Sequence, residues 1–278
     1  MRFALMGNNR TEAQPKLTGL CCCCSKPVIA KCGTRKIWHW AHKSKTDCDN
    51  WWEPETEWHR NWKNNYQAEW QEKSFFDKRK SEKHIADVCT INNLVIEFQH
   101  SNIHPQERTS REQFYKNMVW VVDGTRLKRD YPRFLKEWKS YDVYQTEKEN
   151  IFKVLSPEFC FPESWLKSSV PVIFDFRGDG TLVDSEGLRN NLYCLFPQFG
   201  RYARVVVISR KAFINTTING EWSLRVQKFI NEIRRQEEIE LREQSSKSIH
   251  SSNNITYTYR GIPLIGGKRE FIKRSRRW

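Results

Sequence analysis

Apolar positions along the chain change their period several times, and each change marks a candidate element. Trp58, Trp62, Tyr66 and Trp70 stand four residues apart, the spacing of a buried stripe on a helix that starts near Trp52. Pro54 suits the first turn of that helix, and Glu53, Glu55 and Glu57 complement its positive end. The charged stretch from Lys73 to Lys83 reads as a loop. Two short apolar segments follow, Ile85 to Thr90 and Leu94 to Gln99, separated by Asn92-Asn93; this is the pattern of a β-hairpin. A helix from Arg108 to Asn117 then leads into Met118 to Val122, an apolar run that fits a buried strand. Helix, hairpin, helix and strand in that order predict an α/β (α+β) domain with a mixed sheet flanked by helices. Beyond about Glu147 the strand candidates are Val170 to Phe176 and Arg204 to Ser209. A charged helix is expected from Ser223 to about Gln244, and the Ser-rich stretch from Ser245 to Asn254 reads as a flexible loop.

The first fifty residues break this pattern. They are rich in cysteine and histidine and poor in apolar runs, so something other than hydrophobic burial must hold them, and a metal is the obvious candidate. Cys21-x2-Cys24 followed by His42 and Cys48 supplies four tetrahedral zinc ligands. His39 competes with His42, and the neighbouring Cys22 and Cys23 leave the cysteine pair open. With all four positions filled by protein, the role of such a zinc ion is structural. The chain therefore divides into a zinc-finger-like segment at 1–50, an α/β domain at 51–146 and a β-containing α+β region at 147–278.

Charge sharpens the expectation about partners. Of 278 residues, 47 are Lys or Arg and 33 Asp or Glu, a net charge of +14, which favours an anionic partner, nucleic acid first among them. Six of the last eleven residues, Lys268 to Trp278, are basic; they form either a solvated tail or an arm that contacts phosphate. No run approaches the roughly 18 apolar residues of a membrane span, and Met1 to Leu20 lacks the apolar stretch of a secretory signal. A cytoplasmic protein without membrane contact is expected, and its nine cysteines read as metal ligands or free thiols.

Cutting a phosphodiester calls for a divalent cation held by carboxylates. Asp87 interrupts one apolar hairpin segment and Glu97 the other. A carboxylate in such a setting costs stability unless it is paired or bound to metal. Alternation puts Glu97, Gln99 and Ser101 on one face. Asp87 joins them only if opposed residue numbers sum to an even value, as with a three-residue loop at Ile91 to Asn93; a two-residue Asn92-Asn93 turn would put it on the other face. Glu55, His59 and Lys63 lie four residues apart, a ridge of the preceding helix that could face the same site. Val172 to Ser185 looks at first like the nucleophile motif of haloacid-dehalogenase-type phosphatases. Its aspartates, Asp175 and Asp179, are four residues apart rather than two, and the plainer reading is a strand ending in a Gly-rich turn.

Cys21-x2-Cys24, His39-Trp-Ala-His42, Glu55-x3-His59-x3-Lys63, Ala86-Asp87-Val88, Glu97-Phe-Gln99-x-Ser101, Arg111-x3-Tyr115 and Trp120-Val-Val-Asp123 occur in the order found in the competence protein CoiA family, which residues 20 to 125 resemble. The resemblance implies a restriction-endonuclease-like fold of the PD-(D/E)XK type after a zinc-finger-like segment, and a nuclease role in DNA uptake, recombination or defence, with recombination or uptake proteins as further partners. It makes Asp87 and Glu97 the ligands of Mg²⁺ or Mn²⁺ and puts Gln99 where the motif lysine usually stands. Gln99 is neutral and offers only hydrogen bonds; Lys63 could restore the charge, and His59 could act as general base or as a further ligand. The alternative is a DNA-binding accessory protein that keeps the fold without cutting.

Overall fold

In the computed structural model, residues 1–44, 48–49, 51, 53–78, 80–178, 187–252, 255–257 and 263–265 are described. Short strands of the N-terminal segment, β1 (Phe3–Met6), β2 (Asn9–Glu12), β3 (Thr18–Cys21), β4 (Pro27–Lys31) and β5 (His39–His42), pair antiparallel in the order β2-β1-β3-β4-β5. Their buried core consists of Ala4, Ala13, Cys21, Val28, Trp40 and Cys48. So few side chains, two of them candidate metal ligands, bury too little to hold a sheet on their own.

The chain continues with α1 (Glu57–Lys63), β6 (Gln71–Asp77), β7 (Glu82–Cys89), β8 (Val95–Gln99), α2 (Pro105–Tyr115), β9 (Met118–Asp123), α3 (Asp130–Trp138), β10 (Val143–Gln145), β11 (Ile151–Val154), α4 (Pro157–Cys160), α5 (Glu163–Leu166), β12 (Val172–Asp175), β13 (Asn191–Leu195), β14 (Ala203–Ser209), α6 (Arg210–Ile218) and α7 (Glu221–Ser252). One nine-stranded mixed sheet runs β10-β11-β14-β13-β12-β9-β8-β7-β6. The neighbours β8, β9 and β12 are parallel and the other pairs antiparallel. Every residue of those three strands is buried; the apolar runs of β9 and β12 require this when both faces are covered, whereas β8 buries Glu97 and Gln99 along with its apolar residues. The mixed α/β class expected from the pattern is present, and the sheet passes through the 146/147 boundary without interruption. A compact unit, Met1–Ile230, holds both large sheets; a second, Asn231–Trp278, holds the rest of α7 and an antiparallel pair, β15 (Ile255–Tyr257) with β16 (Pro263–Ile265). Among the described residues no helix is long and apolar enough to cross a membrane.

Four elements depart from expectation, each for a local reason. First, α1 is seven residues long and starts at Glu57, not near Trp52. Thr56 caps it, with His59 closing the capping box, and the Asn65 amide donates to the carbonyls of Asn61 (2.9 Å) and Trp62 (3.0 Å) and stops it. Tyr66 and Trp70 therefore lie beyond the helix. Second, the supposed charged loop from Lys73 to Lys83 forms most of β6 and the start of β7, its charges on the exposed positions of the pair. Third, α2 begins at Pro105, which suits a first turn, and ends at Tyr115. Fourth, α7 continues through Ser252, with the Ser245 and Ser246 hydroxyls turned back onto the carbonyls of Leu241 and Arg242 instead of breaking the helix. Asn253 and Asn254, like Asp179 and the basic end from Lys268, lie outside the described residues.

Trp58 and Trp62 have a polar reason for their identity as well as an apolar one. Both indole N–H groups donate to Asp175 Oδ2, at 3.1 and 2.9 Å, while Oδ1 accepts from Arg210 and from the Arg177 backbone. The Asp175 carboxylate, 1% exposed, is thus occupied in holding α1 and α6 to the end of β12. Trp62→Phe should cost about 1–3 kcal/mol, since an aromatic ring is kept while a buried carboxylate loses one of its two indole donors; urea unfolding measures it.

Candidate functional site

The register of the hairpin settles which way its acids face. Val88 opposes Ile96 and Cys89 opposes Val95, so each pair sums to an even number. The Thr90 N–H donates to Leu94 O at 2.9 Å, closing a three-residue loop over Ile91 to Asn93 in which Asn93 takes the left-handed conformation at φ 56°. Asp87 therefore lies opposite Glu97 on the same face. There the side chains replace the ladder: the Asp87 N–H donates to Glu97 Oε1 (3.3 Å) and the Phe98 N–H to Asp87 Oδ2 (3.0 Å).

Each acid has its own cation. Lys63 is buried, and its Nζ lies 2.8 Å from Glu55, 3.2 Å from Asp87 and 3.7 Å from Glu72. Glu97 is held by Arg111 at 3.0 Å. Glu55 stands before the first turn of α1, so the expected helical ridge is incomplete, yet its carboxylate still reaches Lys63. His59 has both ring nitrogens engaged, Nδ1 with Thr56 (2.8 Å) and Nε2 with Glu53 (2.8 Å). The Gln99 amide donates to Glu53 Oε2 (2.9 Å) and to Ser101 Oγ (3.1 Å). Of the predicted residues, Glu55, His59, Lys63, Asp87 and Glu97 line one cavity, whereas Gln99 is not in its lining and meets it through Glu53. Sequence reasoning missed Asp49, Glu53 and Glu72. Glu53 could have been found, since a residue before proline is disfavoured in helix; Glu55 is kept out by the Thr56 cap that follows it.

A cavity of about 60 Å³ is lined by six carboxylates (Asp49, Glu53, Glu55, Glu72, Asp87 and Glu97) but only two fixed cations, Lys63 and Arg111. Burial and the facing Asp87 outweigh Arg111 and push the Glu97 carboxyl up to about 8. Lys63 is held above the usual lysine range: burial works against its charge, but Asp87, Glu72 and Glu55 outweigh it. Burial also opposes ionisation of Glu55, yet Lys63 and Arg60 hold that carboxyl at about 2. Because the folded value lies below the unfolded one, Glu55 stabilises the fold above about pH 4.5 and loses that contribution as the pH falls through about 2. Glu55→Gln should therefore lower stability at pH 6, and the deficit should shrink at pH 3, as urea unfolding at the two pH values would report.

The cysteine and histidine alternatives also resolve. Ligand atoms of Cys21, Cys24, His42 and Cys48 all lie within 4.8 Å of one another. His39 turns its Nδ1 to Ile37 O at 2.9 Å, and Cys22 reaches toward Phe3 O. Three sulfurs and one imidazole are the donor set zinc prefers, so this cluster could hold a zinc ion. The Cys48 thiol hydrogen-bonds Cys21 across 3.7 Å, which lowers Cys21 to about 4 and raises Cys48. Two threads join the cluster to the carboxylate cavity. After Cys48, Asp49 accepts from the backbone of Trp51 (3.0 Å) and of Ile85 in β7 (3.2 Å); Trp51 O in turn accepts from Arg111 (2.5 Å), the partner of Glu97. On the other side Cys21 touches Met1 Sδ (3.5 Å), and the backbone N–H groups of Arg2 and Phe3 grip Glu72 at 2.6 and 3.1 Å.

Residues 8–50 match a protein-family model described as the competence protein CoiA, N-terminal domain. The match supports the CoiA-like family and ends before α1. No curated protein and no solved structure matches the chain.

Proposed function

From an N-terminal segment of the CoiA-like family, we propose that the chain is a metal-dependent DNA nuclease of the PD-(D/E)XK type, working in the cytoplasm on DNA during uptake, recombination or defence. The observation that carries this reading is the Asp87–Glu97 pair, face to face across β7 and β8 in a cavity where six carboxylates meet two cations although the chain as a whole is strongly basic. Oxygen donors of this kind fit a hard divalent cation. Asp87 and Glu97 would hold Mg²⁺ or Mn²⁺, which when bound supplies polarisation of the phosphate and a water acidic enough to attack. Lys63, 3.2 Å from Asp87, provides the positive charge that neutral Gln99 lacks, beside the place where negative charge develops. Gln99 and Ser101 steady Glu53, and His59, with no free nitrogen, positions that same carboxylate instead of accepting the proton of the attacking water.

Plasmid and single-stranded DNA incubated with Mg²⁺ test the proposal. Wild type should cut at least one of them, and Asp87→Ala and Glu97→Ala should each abolish the cutting. One observation favours the second reading, a DNA-binding accessory protein that does not cleave: Asp87 and Glu97 each already have a protein cation. On that reading wild type retards DNA and Mg²⁺ brings no cutting on any substrate.

A further inference from the structure

The parallel strands β8, β9 and β12 end level with one another, Gln99 opposite Val122 and Asp123 opposite Asp175. Open sheets gather ligands at this end of their parallel strands. Here the chain beyond β9 and β12 carries four exposed cations, Arg126, Lys128, Arg129 and Arg177, none of which forms an ion pair among the described residues. The described acids of the same stretch are buried and turned inward. Asp123 accepts from His100 (2.7 Å) and Thr125, Asp130 faces Arg133 (3.7 Å), and Asp175 is filled by Trp58, Trp62 and Arg210. Among the described residues these loops therefore point positive charge outward, and the exposed Glu57 of α1 is the acid that shares the cleft beside Arg177.

Two glycines bring the basic loops together. A Cβ on Gly124 would lie 2.4 Å from the Phe176 ring, and one on Gly178, at φ 62°, would lie 2.8 Å from the Thr125 hydroxyl. The loop after β9 thus packs directly on the chain leaving β12. Their cations flank two openings. Arg126 lines a small cavity with His100 and Ser101; Arg177 lines a cleft of about 360 Å³ with Asn61, Trp62 and Arg210, on the Trp58–Trp62 face of α1. The carboxylate cavity is next door: the His100 N–H donates to Glu53 Oε1 at 3.4 Å, and the His100 ring lies 6.1 Å from that of His59. Exposed guanidinium and ammonium groups without partners match a row of phosphates, which arginine can bind with two parallel hydrogen bonds.

We propose that Arg126, Lys128, Arg129 and Arg177 hold the phosphates of one nucleic-acid strand along the ends of β9 and β12, beside the carboxylate cavity. The assignment rests on the nucleic-acid reading above and says where on the molecule the strand lies. Binding of a fluorescent single-stranded oligonucleotide, followed by anisotropy in magnesium-free buffer over a series of salt concentrations, tests it without requiring cleavage. Arg126→Ala/Arg177→Ala should weaken binding roughly tenfold and lower the slope of log K against log salt by roughly one for each residue removed. The exposed control pair Lys36→Ala/Lys228→Ala should bind as wild type does. If the Arg126/Arg177 pair loses no more than the control pair, the proposal is overturned. It is equally overturned if that pair loses binding to phosphatidylserine vesicles while its oligonucleotide binding is unchanged. A wild type that never cuts, yet loses oligonucleotide binding through Arg126 and Arg177, sinks the nuclease reading and leaves this surface standing.

Discussion

Removal of zinc from the Cys21, Cys24, His42 and Cys48 cluster is expected to unfold the N-terminal sheet and to loosen the carboxylate cavity with it. The sheet has six buried core residues, two of them cluster cysteines, so a metal held by the cluster would supply the cohesion that apolar burial cannot. Structural zinc in small elements contributes on the order of 10 kcal/mol, more than any side-chain contact in this segment. The effect should not stay local, because Asp49 ties the segment to Ile85 in β7 and Trp51 ties it to Arg111. Purified protein should carry zinc near one equivalent by atomic spectroscopy. A chelator, or Cys48→Ser, should remove hydrogen-exchange protection from β1–β5 and raise exchange at the Ile85 and Phe98 amides, whereas Cys32→Ser, outside the cluster, should change neither. Metal-free protein with full protection in β1–β5 would show that the cluster is not what holds the sheet.

Replacement of Lys63 by methionine is the second large effect expected. It keeps most of the side-chain volume and removes one charge, leaving Glu55, Glu72 and Asp87 facing one another without their shared ammonium. Breaking a buried pair from one side typically costs about 3–5 kcal/mol, because the remaining charge is left uncompensated. The sign with pH follows. In wild type the raised Lys63 value means that its contribution is complete below the unfolded lysine value near 10.4 and is lost only as the pH rises through the higher folded one. In Lys63→Met the abandoned carboxylates take up protons more readily, so the deficit should be largest at pH 7 and smaller at pH 5. Millimolar Mn²⁺ should restore part of the lost stability if the carboxylates accept a divalent ion. Cleavage unchanged in Lys63→Ala, with Asp87→Ala inactive, would reject the compensating role given to this lysine.

How much of this was legible in the sequence depended on how local the cause was. Cys21-x2-Cys24 with His42 and Cys48 could be read because a tetrahedral site draws on short spacings, although only geometry chose His42 over His39 and set Cys22 and Cys23 aside. Faces of β8 followed from its period of two, and the buried strands β9 and β12 from their unbroken apolar runs. The hairpin could be posed as a choice between two registers, but the choice itself rests on the Thr90–Leu94 bond and the left-handed Asn93. α1 was overdrawn because Tyr66 and Trp70 keep a helical spacing after Asn65 has ended the helix. β6 was lost because its charges fall on both faces, Glu72 on one and Lys73 and Asp77 on the other, and an exposed Phe76 follows the core-packed Phe75, so no alternation shows. Asp49, Glu72 and Arg111 meet the site from a loop, an edge strand and a crossover helix, and no spacing along the chain announces such a meeting. The single sheet across 146/147 stayed hidden for the same reason, since β9 pairs with β12 only after α3, two further strands and two short helices have intervened.

The grip of the Arg2 and Phe3 backbone on Glu72 also bears on how the molecule forms. It joins residues about seventy positions apart, and the Trp58–Asp175 bond spans 117. Closing loops of that length costs chain entropy before any contact repays it, and topologies rich in such contacts fold slowly. The acids of the pocket, from Asp49 to Glu97, stay dispersed along the chain until the first residues have closed on Glu72 and β7 has paired with β8.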